Sequence, residues 1–179
     1  MKFFKKSTNN FICSCCGKKH DGLPMSYGFN APYYWVQTMP AEREARFKFR
    51  HGSELCVMDE EHFYIRGNIE IPVIDNKRNF TWDVWVSLSK DNFERTVSYW
   101  NKWGRQKKLE PMFGWLSTSI PSYSEETLNL KTMIHTRKLG IRPLIEIEPT
   151  AHPLAVEQKS GITMRRVQEI AEGLHHMNE

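Results

Sequence analysis

Hydrophobic and polar positions alternate most clearly between residues 63 and 88. In Phe63-Tyr-Ile-Arg-Gly-Asn-Ile-Glu-Ile-Pro-Val, the residues Phe63, Ile65, Ile69, Ile71 and Val73 share one side. Tyr64, Arg66, Asn68 and Glu70 share the other. A period of two is the mark of a strand with one buried face. A turn rich in Asp, Asn and Lys at 75–79 leads to a second alternation. There Trp82, Val84, Val86 and Leu88 form one face, and Thr81, Asp83, Trp85 and Ser87 the other. The two runs predict a β-hairpin with one buried side and one wet side. Leu55–Met58 predicts a shorter strand ahead of it, and 128–137 and 142–148 predict two more behind.

The period then changes. Ser89 or Asp91 is placed to cap a helix over about 91–103, with Phe93, Val97 and Trp100 on its inner stripe and Gly104 at its C-cap. Thr163 caps a second helix over 164–176, in which Ile162 and Val167 are spaced as a hydrophobic staple and Ile170, Ala171 and Leu174 continue the apolar face. Asn30-Ala-Pro and Thr38-Met-Pro read as starts of two short helices. Phe113-Gly-Trp-Leu is a further apolar stretch, and 152–158 reads as a packed loop. The sum is an α+β fold: an antiparallel sheet of about five strands packed by two main helices. A single domain spans 1–179, with 1–10 loose, 11–35 a metal-knuckle segment and 55–176 the sheet-and-helix body.

Composition narrows the function. Hydrophobic residues at 40% with six tryptophans suffice for a packed core. The 25 basic and 21 acidic residues are interspersed and leave a net charge of only +4, so no dense basic patch argues for nucleic acid. Trp103 beside Arg105, Lys107 and Lys108 is the one stretch suited to single strands. No apolar run is long enough to span a membrane, and no apolar region follows the N-terminal lysines as in a signal peptide. Four cysteines without such a signal point to a reducing compartment, and the expected location is the cytoplasm.

Three of those cysteines crowd into Cys13-Ser-Cys-Cys-Gly-Lys-Lys-His20. Cys13-x-x-Cys16 followed by Gly17 suits a metal knuckle, His20 could supply a third ligand, and Cys56 could close a structural Cys3His zinc site from the body. By type, Cys15 and Cys16 cannot be told apart as ligands. Reduced thiols packed as small hydrophobes, or a redox pair, are the alternatives.

Several runs resemble, as a set, the bacterial family known as domain of unknown function 2199. They are Cys13-x-x-Cys16-Gly17 with His20, Gly22-Leu23-Pro24, Arg66-Gly67, Trp85-Val86-Ser87-Leu88, Gly114-Trp115-Leu116, Arg142-Pro143-Leu144 and His152-Pro153-Leu154-Ala155. The resemblance runs over about 11–172. It implies a single-domain bacterial protein with no assigned activity, a cysteine at the position of Cys56, and Cys13 with Cys16 as the ligand pair. Asp83 stands where the family pattern implies glycine.

Among candidate sites, the outward sheet face offers Arg66, Glu70, Asp83 and Trp85, with His135 nearby. Cross-strand ion pairs are the ordinary reason for such a face, and a ligand surface is the other. Glu146 and Glu148 share a strand face, and His152 lies five residues before Glu157. No nucleophile elbow, His-Glu-x-x-His or phosphate-binding loop is present. The expected function is therefore a non-catalytic binding module with a protein partner. The alternative is a metal-dependent hydrolase or transferase using the zinc or the His152/Glu157 region.

Overall fold

The computed structural model describes residues 11–13, 17, 19, 20 and 22–176, with 11, 20, 175 and 176 described by backbone alone. The segment 1–10, expected to be loose, lies outside the described residues. A small ribbon comes first, β1 (Phe11–Ile12) against β2 (Lys19–His20). Then come β3 (Ser26–Gly28), α1 (Tyr33–Gln37), α2 (Pro40–Arg46), β4 (Phe47–Arg50) and β5 (Leu55–Met58). The long hairpin is β6 (His62–Ile71) and β7 (Phe80–Leu88), followed by α3 (Lys90–Tyr99). The chain finishes with β8 (Met112–Trp115), β9 (Lys131–His135), β10 (Leu144–Ile147), α4 (Pro153–Ser160) and α5 (Met164–His176).

The hairpin is the spine of the molecule. Its register runs from Phe63 opposite Leu88 to Ile71 opposite Phe80, which stacks the two apolar faces on one side. Ile65, Ile69, Ile71, Phe80, Trp82, Val84 and Val86 are all at most 1% exposed there. Phe93 of α3, Leu154 and Ala155 of α4, and Val167 and Ile170 of α5 pack into the same cluster. α3 and α5 do so because their apolar stripes have no other partner, and α4 through two adjacent residues of its first turn; a Leu- or Phe-sized side chain gains about 1.5–3 kcal/mol on burial.

The α+β class holds, but the antiparallel sheet of about five strands is overturned. Eight strands form one mixed sheet, in the order β3-β7-β6-β10-β9-β8, with β5 on β6 and β4 on β5. β3 runs parallel to β7, and β10 parallel to β6. Five α-helices are described where two main and two short ones were expected, the addition being α4. The missed elements have physical reasons. β3 and β4 are three and four residues long, too short for a period to register. The stretch taken for a packed loop is α4, started by Pro153 at N1 and by His152, whose Nδ1 accepts the Leu154 N–H at 3.0 Å. Strand direction is set by which edge is free when the chain returns, and no local pattern encodes that.

The wet side is also only half wet. Tyr64, Trp85, Cys56 and Met58 form a second cluster on the far face, closed over by Phe47 and by Phe29, Trp35 and Phe49. The segment from β3 to β4 thus caps one half of that face and leaves the other polar. At its last strand the sheet curls back: β8 reaches β7 through the Val86–Leu116 bridge, and the Trp115 N–H donates to Ser87 Oγ. Gly114 permits this approach, since a Cβ there would overlap the Ser87 carbonyl oxygen. No described helix is long and apolar enough to cross a membrane.

Candidate functional site: a cleft where the sheet divides

One edge of β6 is shared by two strands that part from each other. Its first half pairs with β5, from His62 opposite Met58 to Ile65 opposite Leu55. Beyond that the Arg66 N–H donates to the Glu54 carbonyl, and the Asn68 N–H to the Pro143 carbonyl next to β10. A cleft of about 730 Å³ opens at this fork. Its walls include His51, Glu54, Asn68, Trp100, Ile141 and Arg142. Forks of this kind favour ligand sites because two backbones diverge and leave a concave gap that local structure does not fill.

Each wall is held from elsewhere. His51, Gly52 and Ser53 make the β4–β5 turn with φ of 53°, 67° and 66°. Two non-glycine residues in the left-handed region carry strain, and strain persists where surrounding contacts impose it. Here the turn lays the His51 ring on Trp100, centroids 5.0 Å apart at 31°. The opposite wall, the loop at 137–142, is pinned by the buried Arg105. Its guanidinium donates to the carbonyls of Trp100, Arg137 and Ile141 at 3.1, 2.9 and 2.9 Å, and at 3.4 Å to that of Lys138. Burial lowers the pKa of this guanidinium.

The floor is a charged network on the far face of the sheet. Arg142 grips Glu54 through Nε and Nη2 at 2.7 and 2.6 Å and reaches Asp83 through Nη1 at 2.7 Å. The Glu54 carboxylate is the main cause that raises the Arg142 pKa. Asn68 donates to the other Asp83 oxygen, and Arg137 bonds Glu70 and Asn68. Arg66 stands apart, its Nη2 3.9 Å from Asp83 Oδ2.

The expected face is thus partly assembled. Arg66, Glu70 and Asp83 come together, joined by Glu54, Arg137 and Arg142. Trp85 does not line an accessible surface: it is fully buried, its ring edge-on to Phe49 at 5.9 Å and its Nε1 donating to the Phe29 carbonyl at 2.9 Å. His135 pairs with Glu146 at 2.8 Å on the surface, so neither joins the network, and Glu146 and Glu148 are not a buried pair. Sequence reading missed the cleft walls because Glu54 and Arg137 carry no motif and Arg142, although part of the Arg142-Pro143-Leu144 run, carries no sign of its partners. They meet only after the β4–β5 turn and the loop at 137–142 converge.

The other candidates are occupied structurally. His152 caps α4 and its Nε2 lies 3.3 Å from the Glu125 carbonyl, while Glu157 accepts from Tyr123 and pairs with Arg166 at 2.8 Å. Arg105 is buried and so is not beside Trp103 as a surface cation, although Trp103 is 87% exposed.

Of the zinc candidates, Cys16 and the side chain of His20 lie outside the described residues, as does Cys15. Cys13 is buried next to Ile12, whose carbonyl accepts from Gln168 on α5, in the helix layer. Cys56 projects from β5 to the opposite face, among Phe47, Met58, Tyr64 and Trp85. Apolar surroundings push its thiol up to about 12. Among the described residues no three His, Cys, Asp or Glu side chains are grouped to hold a metal ion. The described part of this N-terminal segment forms the β1–β2 ribbon.

The class defined here is an α+β protein with a strongly curled mixed sheet, α3, α4 and α5 on one face, the α1 segment over part of the other, and a polar cleft let into its divided edge. Over residues 12–162 the chain matches the family described as an uncharacterized protein conserved in bacteria, DUF2199, and it belongs to that family. No curated protein and no solved structure matches it.

Proposed function

We propose that this is a non-catalytic binding module that takes part of a protein partner into the fork cleft. The cleft itself carries the reading. Its volume is in the range that holds a few side chains or a small ligand, and its walls mix an aromatic pair with fixed polar groups. The carboxylates of the network, Glu54, Glu70 and Asp83, are each held by an arginine. That arrangement suits recognition, since each carboxylate is already committed to a fixed cationic partner. The buried thiol of Cys56 fits the reducing cytoplasm as the place of action.

Obstruction tests it without disturbing the core. Asn101 is exposed and Ile141 is 46% exposed, both on the cleft rim. The pair Asn101→Arg with Ile141→Arg fills the opening, and Trp103→Ala changes an exposed ring elsewhere. Proteins cross-linked to each form in a bacterial lysate are identified and quantified by mass spectrometry. The expected result is a partner recovered by wild type and Trp103→Ala and reduced at least tenfold by the double variant. Equal recovery by all three refutes the cleft as the binding site.

A further inference from the structure

Six charged groups share the polar half of the sheet face, and five are bonded to one another. The exception is Arg66. Its side chain is 14% exposed, its Nε is buried with no partner among the described residues, and its only carboxylate neighbour is Asp83 at 3.9 Å. That carboxylate is already committed to Asn68 and Arg142. A guanidinium carries five donors in a fixed fork, and a largely buried one without an acceptor is a standing electrostatic demand.

The way to it is kept open by Gly28. This residue is exposed on β3, directly opposite Asp83 in the parallel register. A Cβ at Gly28 would sit 2.9 Å from Asp83 Cβ and 3.2 Å from Arg66 Nη2. Only the smallest residue leaves the guanidinium approachable from that side. The site also adjoins the cleft, because the Arg66 N–H is bonded to Glu54 and the Asp83 carboxylate to Asn68, and both Glu54 and Asn68 line it.

We propose that Arg66 is the receptor for a carboxylate of the bound partner, admitted over Gly28. The assignment rests on the binding reading above. A carboxylate matches the site in chemistry: Asp83, the carboxylate facing Arg66, stands 3.9 Å away and leaves the buried Nε–H without an acceptor, which a partner carboxylate would supply to the guanidinium fork. A phosphate dianion would bring a second charge against Asp83. The carboxylate belongs either to an acidic side chain or to a chain terminus.

Arginine Nε–Hε resonances of the ¹⁵N-labelled protein test this, with the Arg66 signal assigned by its loss in Arg66→Lys. The probes are sodium acetate, N-acetylalanine (a terminal carboxylate), N-acetylglutamic α-amide (a side-chain carboxylate) and inorganic phosphate, each against chloride at constant ionic strength. The expected result is a saturable shift of the Arg66 signal with acetate and with one of the two amino-acid probes, which identifies the source. In Gly28→Ala the shift should weaken at least fivefold. Arg66→Met should lose the response while its melting temperature stays level or rises, since the variant forfeits only the long 3.9 Å ion pair to Asp83 and no described side-chain hydrogen bond. A linear drift with acetate, tighter binding of phosphate than of acetate, or a melting temperature lowered by more than about 5 °C in Arg66→Met overturns the assignment. If acetate fails while the cleft-filling variant still loses its partner, the carboxylate receptor falls and the binding reading stands.

Discussion

Arg105→Met removes the clamp on which the cleft wall depends, and its cost can be worked from the contacts. The guanidinium is 5% exposed and donates to three carbonyls at 3.1 Å or less and to a fourth at 3.4 Å. A hydrogen bond from a charged group contributes about 1.5–3 kcal/mol net, so three give roughly 5–9 kcal/mol gross. Two effects reduce this. The freed carbonyls of the 137–142 loop can turn to water, and the variant no longer desolvates a cation that has no carboxylate beside it. A net loss of about 3 kcal/mol follows, which in a chain of this length lowers the melting temperature by about 6–12 °C. Methionine keeps most of the volume, so packing over Trp100 is not the main loss. Urea unfolding gives the stability, and hydrogen exchange at the amides of 137–142 gives its location: those amides should exchange faster than the β6–β7 amides. A loss below about 1 kcal/mol, or uniform exchange throughout the chain, would refute the clamp.

The remaining expectations concern pH and close packing. Cys56 has its thiol raised by burial from 9.0 to about 12, so the unfolded chain ionises first as pH rises. Its contribution is complete below pH 9 and is lost toward pH 12, at up to about 1.4 kcal/mol per pH unit. Urea midpoints between pH 8 and 11 should therefore fall less steeply in Cys56→Ala than in wild type, and parallel slopes would show that the thiol is not buried as described. Gly114→Ala should destabilise by about 3 kcal/mol or more, because its Cβ meets the Ser87 carbonyl and lies 2.9 Å from Ile134 Cδ1. Gly173→Ala, in α5 with nothing within 4 Å of the new Cβ, should stabilise by about 0.5–1 kcal/mol; differential scanning calorimetry on both variants decides.

The strands at 55–58, 63–71 and 80–88, with their inward residues, were legible in the sequence, as were α3 and α5. Each follows from a period that holds in any environment: Phe63, Ile65, Ile69 and Ile71 share a side because a pleated chain alternates, and Thr163 with Ile162 and Val167 marks a helix start locally. Arg66, Glu70 and Asp83 were placed on one face for the same reason. Partnership was not legible. Trp85 occupies a polar-face position in the pattern yet is buried, because Phe49 of β4 and Phe29, just past β3, arrive with strands too short to announce themselves. Cys56 follows Leu55 in the alternation and therefore faces away from the helix layer beside Cys13, which spacing in the sequence does not convey. Glu54, Arg137 and Arg142 meet at the fork only because β10 returns parallel to β6 while β5 leaves it. That direction is a property of the whole packed sheet, where the free edge and the buried apolar face are settled together, and the cleft exists only once they are.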